Sequence, residues 1–479
     1  MNRKLIAKTM GLLLSSEAAA MIPSLFLAFY YNEPDTRAFI ISIAVTGLLG
    51  LVLSLISLDS QHVGYKEGFV IATLGWLLLT AFGSLPYILS GSLNSFVDAF
   101  FETMSGLTTT GSSVIQDVEI LTHGILFWRS MTHWLGGMGI IVLTLALIPS
   151  LNIAGMSMYK AEVPGPTKSK VLPRVARTSR QLYKIYVILT VAEIILLTFA
   201  GMPLFDSFIH SFGSVATGGF SSKNASVGAY DSVGIEIIIT FFTLICGINF
   251  SLHFHVLHGN IKKCLRDREF IVYLTVIVLS ILLISVNLIN IEDYSPGEAL
   301  RSGSFQVVTI ITTTGFATDD FNLWPDMSRI LLVVLMFIGG CAGSTSGGIK
   351  VIRFLILFKS GARHLLRLSH PNAVTPVRLG KEVIPREVVD GVQNFFFLTL
   401  GIYVVVTIFL TALGIDLISA MSAVAATLFN VGPGLGIVGP VTNFSSLPEA
   451  AKAVLSVCML IGRLELYTVL VLLHPKFWR

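Results

Sequence analysis

The sequence predicts an all-α polytopic membrane protein, with two N-terminal helices followed by four helix–pore-loop–helix repeats around a central pore, about ten full spans in all. Three observations predict it. Apolar residues make up 53% of the 479 and charged residues only 13%, with a mean hydropathy of +0.79, whereas a soluble chain of this length needs far more charge to cover its surface. Long apolar runs recur from end to end, including Ile188 to Ala200, Phe270 to Leu288 and Phe395 to Leu413. Between such runs, a short apolar stretch ending in a glycine-centred turn appears four times.

The first apolar run follows Arg3, Lys4 and Lys8 and is succeeded at once by a second, so it reads as a retained helix rather than a secretory signal. These two helices are expected near 5–30 and 38–58, within a segment 1–66. The four cysteines, Cys246, Cys264, Cys341 and Cys458, have no close pairing and argue against a disulfide framework.

Charge placement sets the expected orientation. Basic residues gather in three loops: Lys160, Lys168, Lys170, Arg174, Arg177 and Arg180; Lys262, Lys263, Arg266 and Arg268; and Lys359, Arg363, Arg367, Arg378, Lys381 and Arg386. The positive-inside rule puts these loops, both termini and Lys66 in the cytoplasm. Each cluster abuts a span, so it reads as a topology determinant or partner surface and not as a nucleic-acid site.

With that orientation the four repeats fall into register. They open VDAFFETMSGLTTTG (97–111), FDSFIHSFGSVATGG (205–219), GEALRSGSFQVVTIITTTG (297–315) and IDLISAMSAVAATLFNVG (415–432), each with an acidic residue near its start: Asp98, Asp206, Glu298 and Asp416. The period is roughly 100 residues, right for two spans plus a loop. The resulting segments are 67–154 (repeat 1), 155–181 (basic linker), 182–260 (repeat 2), 261–358 (repeat 3), 359–388 (basic linker) and 389–479 (repeat 4). At roughly 10–14 residues each short stretch cannot cross the bilayer and reads as re-entrant. Non-helical backbone at membrane depth is tolerated where it lines water, so four such loops imply a shared aqueous centre.

The four turns are Thr108-Thr109-Thr110-Gly111, Val215-Ala216-Thr217-Gly218, Thr312-Thr313-Thr314-Gly315 and Phe429-Asn430-Val431-Gly432. An ion leaving water needs replacement oxygens, and a ring of backbone carbonyls supplies them without fixed charge. Aligning consecutive carbonyls takes the chain out of the usual dihedral basins, which glycine permits cheaply. Threonine and valine pack stiffly behind such a backbone, and threonine adds a hydroxyl. A short helix ending at the pore centre contributes partial negative charge there, and its acidic first turn complements the opposite end. A single such turn is an ordinary tight turn; four in register point to a cation pore.

Beyond this chemistry, the sequence resembles the Trk/Ktr/HKT superfamily of potassium transporters, specifically its TrkH-type bacterial subunits. The resemblance spans nearly the whole chain and is carried by FFETMSGLTTTGSSV (101–115), FWRSMTHWLGGMGI (127–140), HSFGSVATGGFSS (210–222), TTTGFATDDFN (312–322), GGCAGSTSGGIK (339–350), LFNVGPGLG (428–436) and IGRLELYTVL (461–470). It implies potassium as the transported ion, a homodimer, and a cytoplasmic TrkA-type ring that binds nucleotide, with no organic cofactor on this chain. It also implies that the filter is formed by Thr109, Thr110 and Gly111, by Ala216, Thr217 and Gly218, by Thr313, Thr314 and Gly315, and by Asn430, Val431 and Gly432. The fourth turn departs from T-x-G, so the filter is expected to be asymmetric.

Two features are candidates for a gate. Gly339, Gly340, Cys341, Ala342, Gly343, Ser344, Thr345, Ser346, Gly347 and Gly348 interrupt the second span of repeat 3. Five glycines in ten residues cannot sustain a straight helix, at roughly 1 kcal/mol each relative to alanine. The segment reads either as close packing through small residues or as a loop that obstructs the pore, and the resemblance favours the loop. Arg463 lies in the apolar run Leu455 to Leu472, expected as one final span, with Glu465 nearby. A charge there costs several kcal/mol unless it faces water or a partner. It reads either as half of a buried ion pair or as a fixed positive charge below the filter, and the family has an arginine at this place. Lys350 either shares that work or marks the cytoplasmic boundary.

Remaining polar residues carry less. His253, His255 and His258 do not share a helix face, which argues against a metal site. His133 sits where helix packing is expected. Glu193 lies mid-helix and could couple transport to protons. A proton- or sodium-coupled symporter is thus the alternative to a gated pore. A polytopic membrane enzyme would need converging nucleophile, acid–base or metal groups, and no such constellation stands out.

Overall fold

The structure, a computed structural model, describes residues 1–57, 64–139, 175–372, 375–380 and 382–478. Lys160, Lys168, Lys170 and Arg174 of the first basic loop, Lys381 of the third, and the continuation of repeat 1 beyond residue 139 lie outside the described residues.

Apolar sequence and absence of backbone partners in lipid leave helix as the economical solution, and the described chain is helical throughout its apolar runs. Helices α1 (Arg3–Tyr30) and α2 (Thr36–Ser54) form the N-terminal pair. They lie close because Gly11 and Gly50 face one another: a β-carbon on Gly11 would stand 2.7 Å from the Gly50 carbonyl. Repeat 1 contributes α3 (Tyr65–Gly83), the short α4 (Leu85–Ser90), α5 (Phe96–Leu107) and α6 (His123–Gly137). Repeat 2 contributes α7 (Val175–Phe199), α8 (Leu204–Ala216), α9 (Val233–Cys246) and α10 (Phe250–Leu257). After the short α11 (Ile261–Leu265), repeat 3 has α12 (Arg268–Ile291), α13 (Pro296–Ile311), α14 (Asp326–Phe337) and α15 (Val351–Ser369). Repeat 4 has α16 (Arg386–Ala412), α17 (Leu417–Leu428), α18 (Glu449–Arg463) and α19 (Tyr467–Leu470), and α20 (Pro475–Trp478) follows. A two-residue hairpin, β1 (Arg378–Leu379) against β2 (Glu382–Val383), precedes α16.

Among the described residues, α1, α2, α3 with α4, α7, α12 and α16 are long and apolar enough to cross a membrane. Two further spans are broken: α9 and α10 meet at 102°, and α18 and the helix after it at 111°. With α6 and the interrupted α14–α15 segment, these account for the two N-terminal spans and the paired spans of four repeats. Lipid-facing positions are apolar and uncovered, as at Leu48, Ile188, Val278 and Val405. The four short helices α5, α8, α13 and α17 are instead enclosed, their last turns fully buried.

Three expectations change. The second basic cluster and Lys359, Arg367, Arg378 and Arg386 are exposed, and α7 begins, and α15 ends, inside segments expected to be linkers. The run Leu455 to Leu472 is not one helix. It ends at Arg463, because Glu465 and Leu466 adopt positive φ (56° and 45°) and turn the chain. Glu465 pairs with Arg353, whose guanidinium also lies 4.0 Å over the Phe395 ring.

Candidate functional site

Each re-entrant helix begins with its acidic residue in use. Asp98 holds Lys452 Nζ at 2.6 Å, Asp206 accepts from the Ser222 hydroxyl at 2.6 Å, Glu298 completes a capping box with Ser295, and Asp416 accepts from the Ser419 amide at 3.0 Å. These contacts occupy the positive helix end, leaving the opposite end to face the centre.

The backbone beyond each helix repeats one shape. Thr109, Thr217, Thr313 and Asn430 are left-handed, at φ of 53°, 56°, 57° and 55°. The next residues, Thr110, Gly218, Thr314 and Val431, donate their amides to Ser105, Gly213, Thr309 and Ala426, each at 2.8 Å. Gly111, Gly219, Gly315 and Gly432 follow at φ of 83°, 83°, 81° and 107°. Threonine in this region is strained, so its three occurrences at one position, with the more tolerant Asn430 at the fourth, mark an imposed geometry.

The four segments close a ring. A β-carbon on Gly111 would strike the carbonyl of Gly218, one on Gly219 that of Thr314, one on Gly315 that of Val431, and one on Gly432 that of Thr110. Each repeat therefore abuts the next, and the fourth returns to the first. At one end of the ring a cavity of about 130 Å³ is lined by the same four glycines together with Arg129 and Lys223.

This register corrects the turn expected in repeat 2. Ala216 is the last residue of α8, and the turn is Thr217-Gly218-Gly219, one residue later than Ala216-Thr217-Gly218. The doublet Gly218-Gly219 hid the register. Its signal was in the following residues, where Gly219-Phe220-Ser221 parallels Gly315-Phe316-Ala317. In the other repeats Thr109-Thr110-Gly111, Thr313-Thr314-Gly315 and Asn430-Val431-Gly432 occupy the ring. Asn430 joins two repeats, since its Nδ2 donates to Thr110 Oγ1 at 2.9 Å and to the Met459 carbonyl at 3.0 Å.

Directly beneath the ring lies the glycine-rich segment. Its neck is a bridge between Ile338 and Ile349, and Glu269 accepts from the amides of Ala342 at 2.7 Å and Ile352 at 3.1 Å. Its returning limb reaches the ring: the Gly347 amide donates to Thr313 Oγ1 at 2.6 Å, and the Gly348 amide donates to the Phe429 carbonyl at 2.9 Å. Thr345 Oγ1 donates to the Val215 carbonyl at 3.2 Å. Gly343 and Gly348 have φ of 75° and 67°, which this tight path requires. Gly339 and Gly340 sit against Gly347 and Ser346 across the neck. Ser344 caps the tip turn by donating to the Cys341 carbonyl.

Arg463 joins the loop to repeat 1. Its guanidinium donates to the carbonyls of Thr345 at 2.9 Å, Gly136 at 2.6 Å and Gly137 at 3.0 Å. The last two terminate α6, where helix carbonyls are unsatisfied and the dipole is negative, so helix-end dipoles meet the cation. Lys350 is 2% exposed and turns back to the carbonyls of Ser346 and Gly347. Glu269 and Arg353 had no distinguishing sequence signal, because only the fold brings them to the loop.

The other polar candidates do not converge. His253, His255 and His258 contact Ile245, Lys263 and Phe254 respectively. Among the described residues no group of three His, Cys, Asp or Glu side chains is arranged to hold a metal. His133 is fully buried, with Nδ1 2.8 Å from the Gly106 carbonyl and its ring stacked on Phe220. Glu193 is fully buried on α7 beside Ser214 of α8.

Comparison with known proteins agrees with this architecture. The TrkH family profile, described as a cation transport protein, matches residues 34–479. The Trk system potassium uptake protein TrkH of Salmonella typhimurium is 45% identical over all of both chains, and that of Escherichia coli K12 is 43% identical over the same extent. The crystal structure of the potassium transporter TrkH from Vibrio parahaemolyticus superposes with a TM-score of 0.91 at 40% identity, covering both chains completely. Matched from residue 34 to its end, and aligned in full with these relatives, the chain belongs to the TrkH family of cation transport proteins.

Proposed function

We propose that this chain takes up potassium ions across a bacterial inner membrane through a gated, channel-like pore. The observation that carries the proposal is the closed ring of four equivalent backbone segments, each ending at a glycine that meets its neighbour's carbonyl. Carbonyls held in a ring replace the hydration shell of a cation without binding it too tightly to leave. The relatives named as Trk system potassium uptake proteins support potassium as that cation.

The filter residues are Thr109, Thr110 and Gly111, Thr217, Gly218 and Gly219, Thr313, Thr314 and Gly315, and Asn430, Val431 and Gly432. The gate is the loop Gly339 to Gly348 with Lys350 and Arg463; its hydrogen bonds to Thr313, Phe429 and Val215 support a closed state in which the loop occupies the path below the ring. A fixed guanidinium at the same level opposes cation passage. The chain works as a homodimer, with both termini and the basic loops on the cytoplasmic side against a TrkA-type nucleotide-binding ring. The exposed charge of Lys262, Lys263, Arg266 and Arg367 supports that orientation.

Reconstituted flux of rubidium against sodium, with and without the regulatory ring, tests the proposal. The expected result is rubidium flux that follows its own gradient at zero membrane potential and rises with the ring. Uptake that followed an imposed proton gradient and ignored the potassium gradient would replace the pore with a symporter, for which the buried Glu193 is the coupling carboxylate.

A further inference from the structure

The register of the ring identifies one equivalent position on each re-entrant helix, occupied by Glu102, His210, Gln306 and Ala423. In repeats 1 and 2 this side chain reaches the strand leaving the filter. Glu102 accepts from the Ser113 hydroxyl at 3.0 Å and from the Val114 amide at 2.8 Å, and His210 Nε2 lies 2.9 Å from Ser221 Oγ. In repeat 3 the corresponding partner is Ala317, and Gln306 is fully buried with no hydrogen-bond partner in the structure.

Arg129, on α6, ties the two braced strands together. Its Nε donates to Glu102 Oε1 at 2.7 Å, another guanidinium nitrogen donates to the Ser221 carbonyl at 3.1 Å, and the group lies 3.5 Å over the Phe220 ring. Both charges are buried, Glu102 completely and Arg129 at 3% exposure. Desolvating two such groups is costly unless geometry and additional hydrogen bonds offset it, and apolar replacements are often more stable. Buried pairs of this kind fix conformation in some proteins without adding net stability. Here the structure made unique is the strand beyond Gly111 and Gly219, and Arg129 also lines the filter mouth.

We infer that Arg129 and Glu102 are positioning residues for ion selection: they fix the mouth-side backbone of repeats 1 and 2, so that the carbonyl ring keeps one size. The inference rests on the filter reading above. Repeats 3 and 4 lack this brace, so discrimination is set unequally around the ring. Rings that flex by a fraction of an ångström accommodate a smaller cation, so loosening half of the ring admits sodium.

Rubidium and sodium fluxes in liposomes, taken as a ratio, test this for Ser113→Ala, which removes the hydroxyl's bonds to Glu102 and to the Ile115 amide and keeps the ion pair, and for the double variant Arg129→Gln/Glu102→Gln, which removes both charges. The expected result is a fall in the rubidium-to-sodium ratio of about tenfold in the double variant, equivalent to about 1.4 kcal/mol, and a smaller fall in Ser113→Ala. A ratio within about twofold of wild type in either variant, at wild-type size-exclusion profile, overturns the inference. Should the double variant fail to assemble, Ser113→Ala alone decides. A wild-type protein with no preference for rubidium would instead overturn the filter reading itself.

Discussion

Arg463 holds the carbonyl of Thr345 at 2.9 Å, fastening the end of the last long helix to the tip of the glycine-rich loop. The same guanidinium grips the end of α6, so loop displacement must break bonds that cross the molecule.

Arg463→Ala is therefore expected to raise basal rubidium flux. A hydrogen bond from a charged group contributes about 1.5–3 kcal/mol, equivalent to roughly ten- to a hundredfold in the closed-to-open ratio. Arg463→Lys should fall between, because an ammonium is a point charge that cannot fork to three carbonyls. Liposome flux at zero potential checks both; a wild-type rate in Arg463→Ala would return this residue to helix packing.

Gly347→Val addresses the loop from its other side. A β-carbon at Gly347 would stand 2.5 Å from the Phe429 carbonyl and 2.8 Å from Asn430 Cβ, so the loop cannot seat against the ring. The expected outcome is higher basal flux with rubidium selectivity retained. Lower flux in a folded protein would show that the loop does not obstruct the path.

The corrected register in repeat 2 makes Gly219 and Ala216 diagnostic. Gly219→Ala places a methyl at φ of 83° against the Thr314 carbonyl and is expected to lower the rubidium-to-sodium ratio by roughly tenfold or more. Ala216→Ser alters only the last residue of a helix and should keep the ratio within about twofold. The reverse ranking would restore the earlier register.

Arg353 and Glu465 are expected to govern stability rather than flux. Glu465→Ala leaves a guanidinium of 9% side-chain exposure without its carboxylate; such losses cost roughly 3–5 kcal/mol when fully buried, and about 2 kcal/mol is expected here because Glu465 remains 22% exposed. Thermal unfolding in detergent should show a lowered midpoint, recovered in large part by Arg353→Met/Glu465→Gln. A midpoint equal to wild type in the single variant would mean that the Phe395 contact alone holds Arg353.

Much of the site was legible in the chain because glycine, threonine and acidic residues have strong local preferences. Asp98, Asp206, Glu298 and Asp416 announced helix starts, and Gly111, Gly315 and Gly432 announced turns that only glycine makes cheaply. Repeat 2 misled because two adjacent glycines satisfy the same local rule at Gly218 and Gly219. Only the neighbouring carbonyl of Thr314 distinguishes them. The end of α18 misled for a related reason: Leu455 to Leu472 is apolar throughout, and hydropathy does not register the positive φ of Glu465 and Leu466.

By itself, the sequence determined that the chain spans a membrane and carries four re-entrant turns, because hydrophobic length and glycine spacing are local properties that any neighbourhood must respect. Tertiary structure alone decided which oxygen each ring glycine meets, that Glu465 belongs to Arg353, and that Arg463 reaches the carbonyls of Thr345, Gly136 and Gly137. Those are contacts between distant segments, set by how close two backbones can approach, and no single segment encodes that distance.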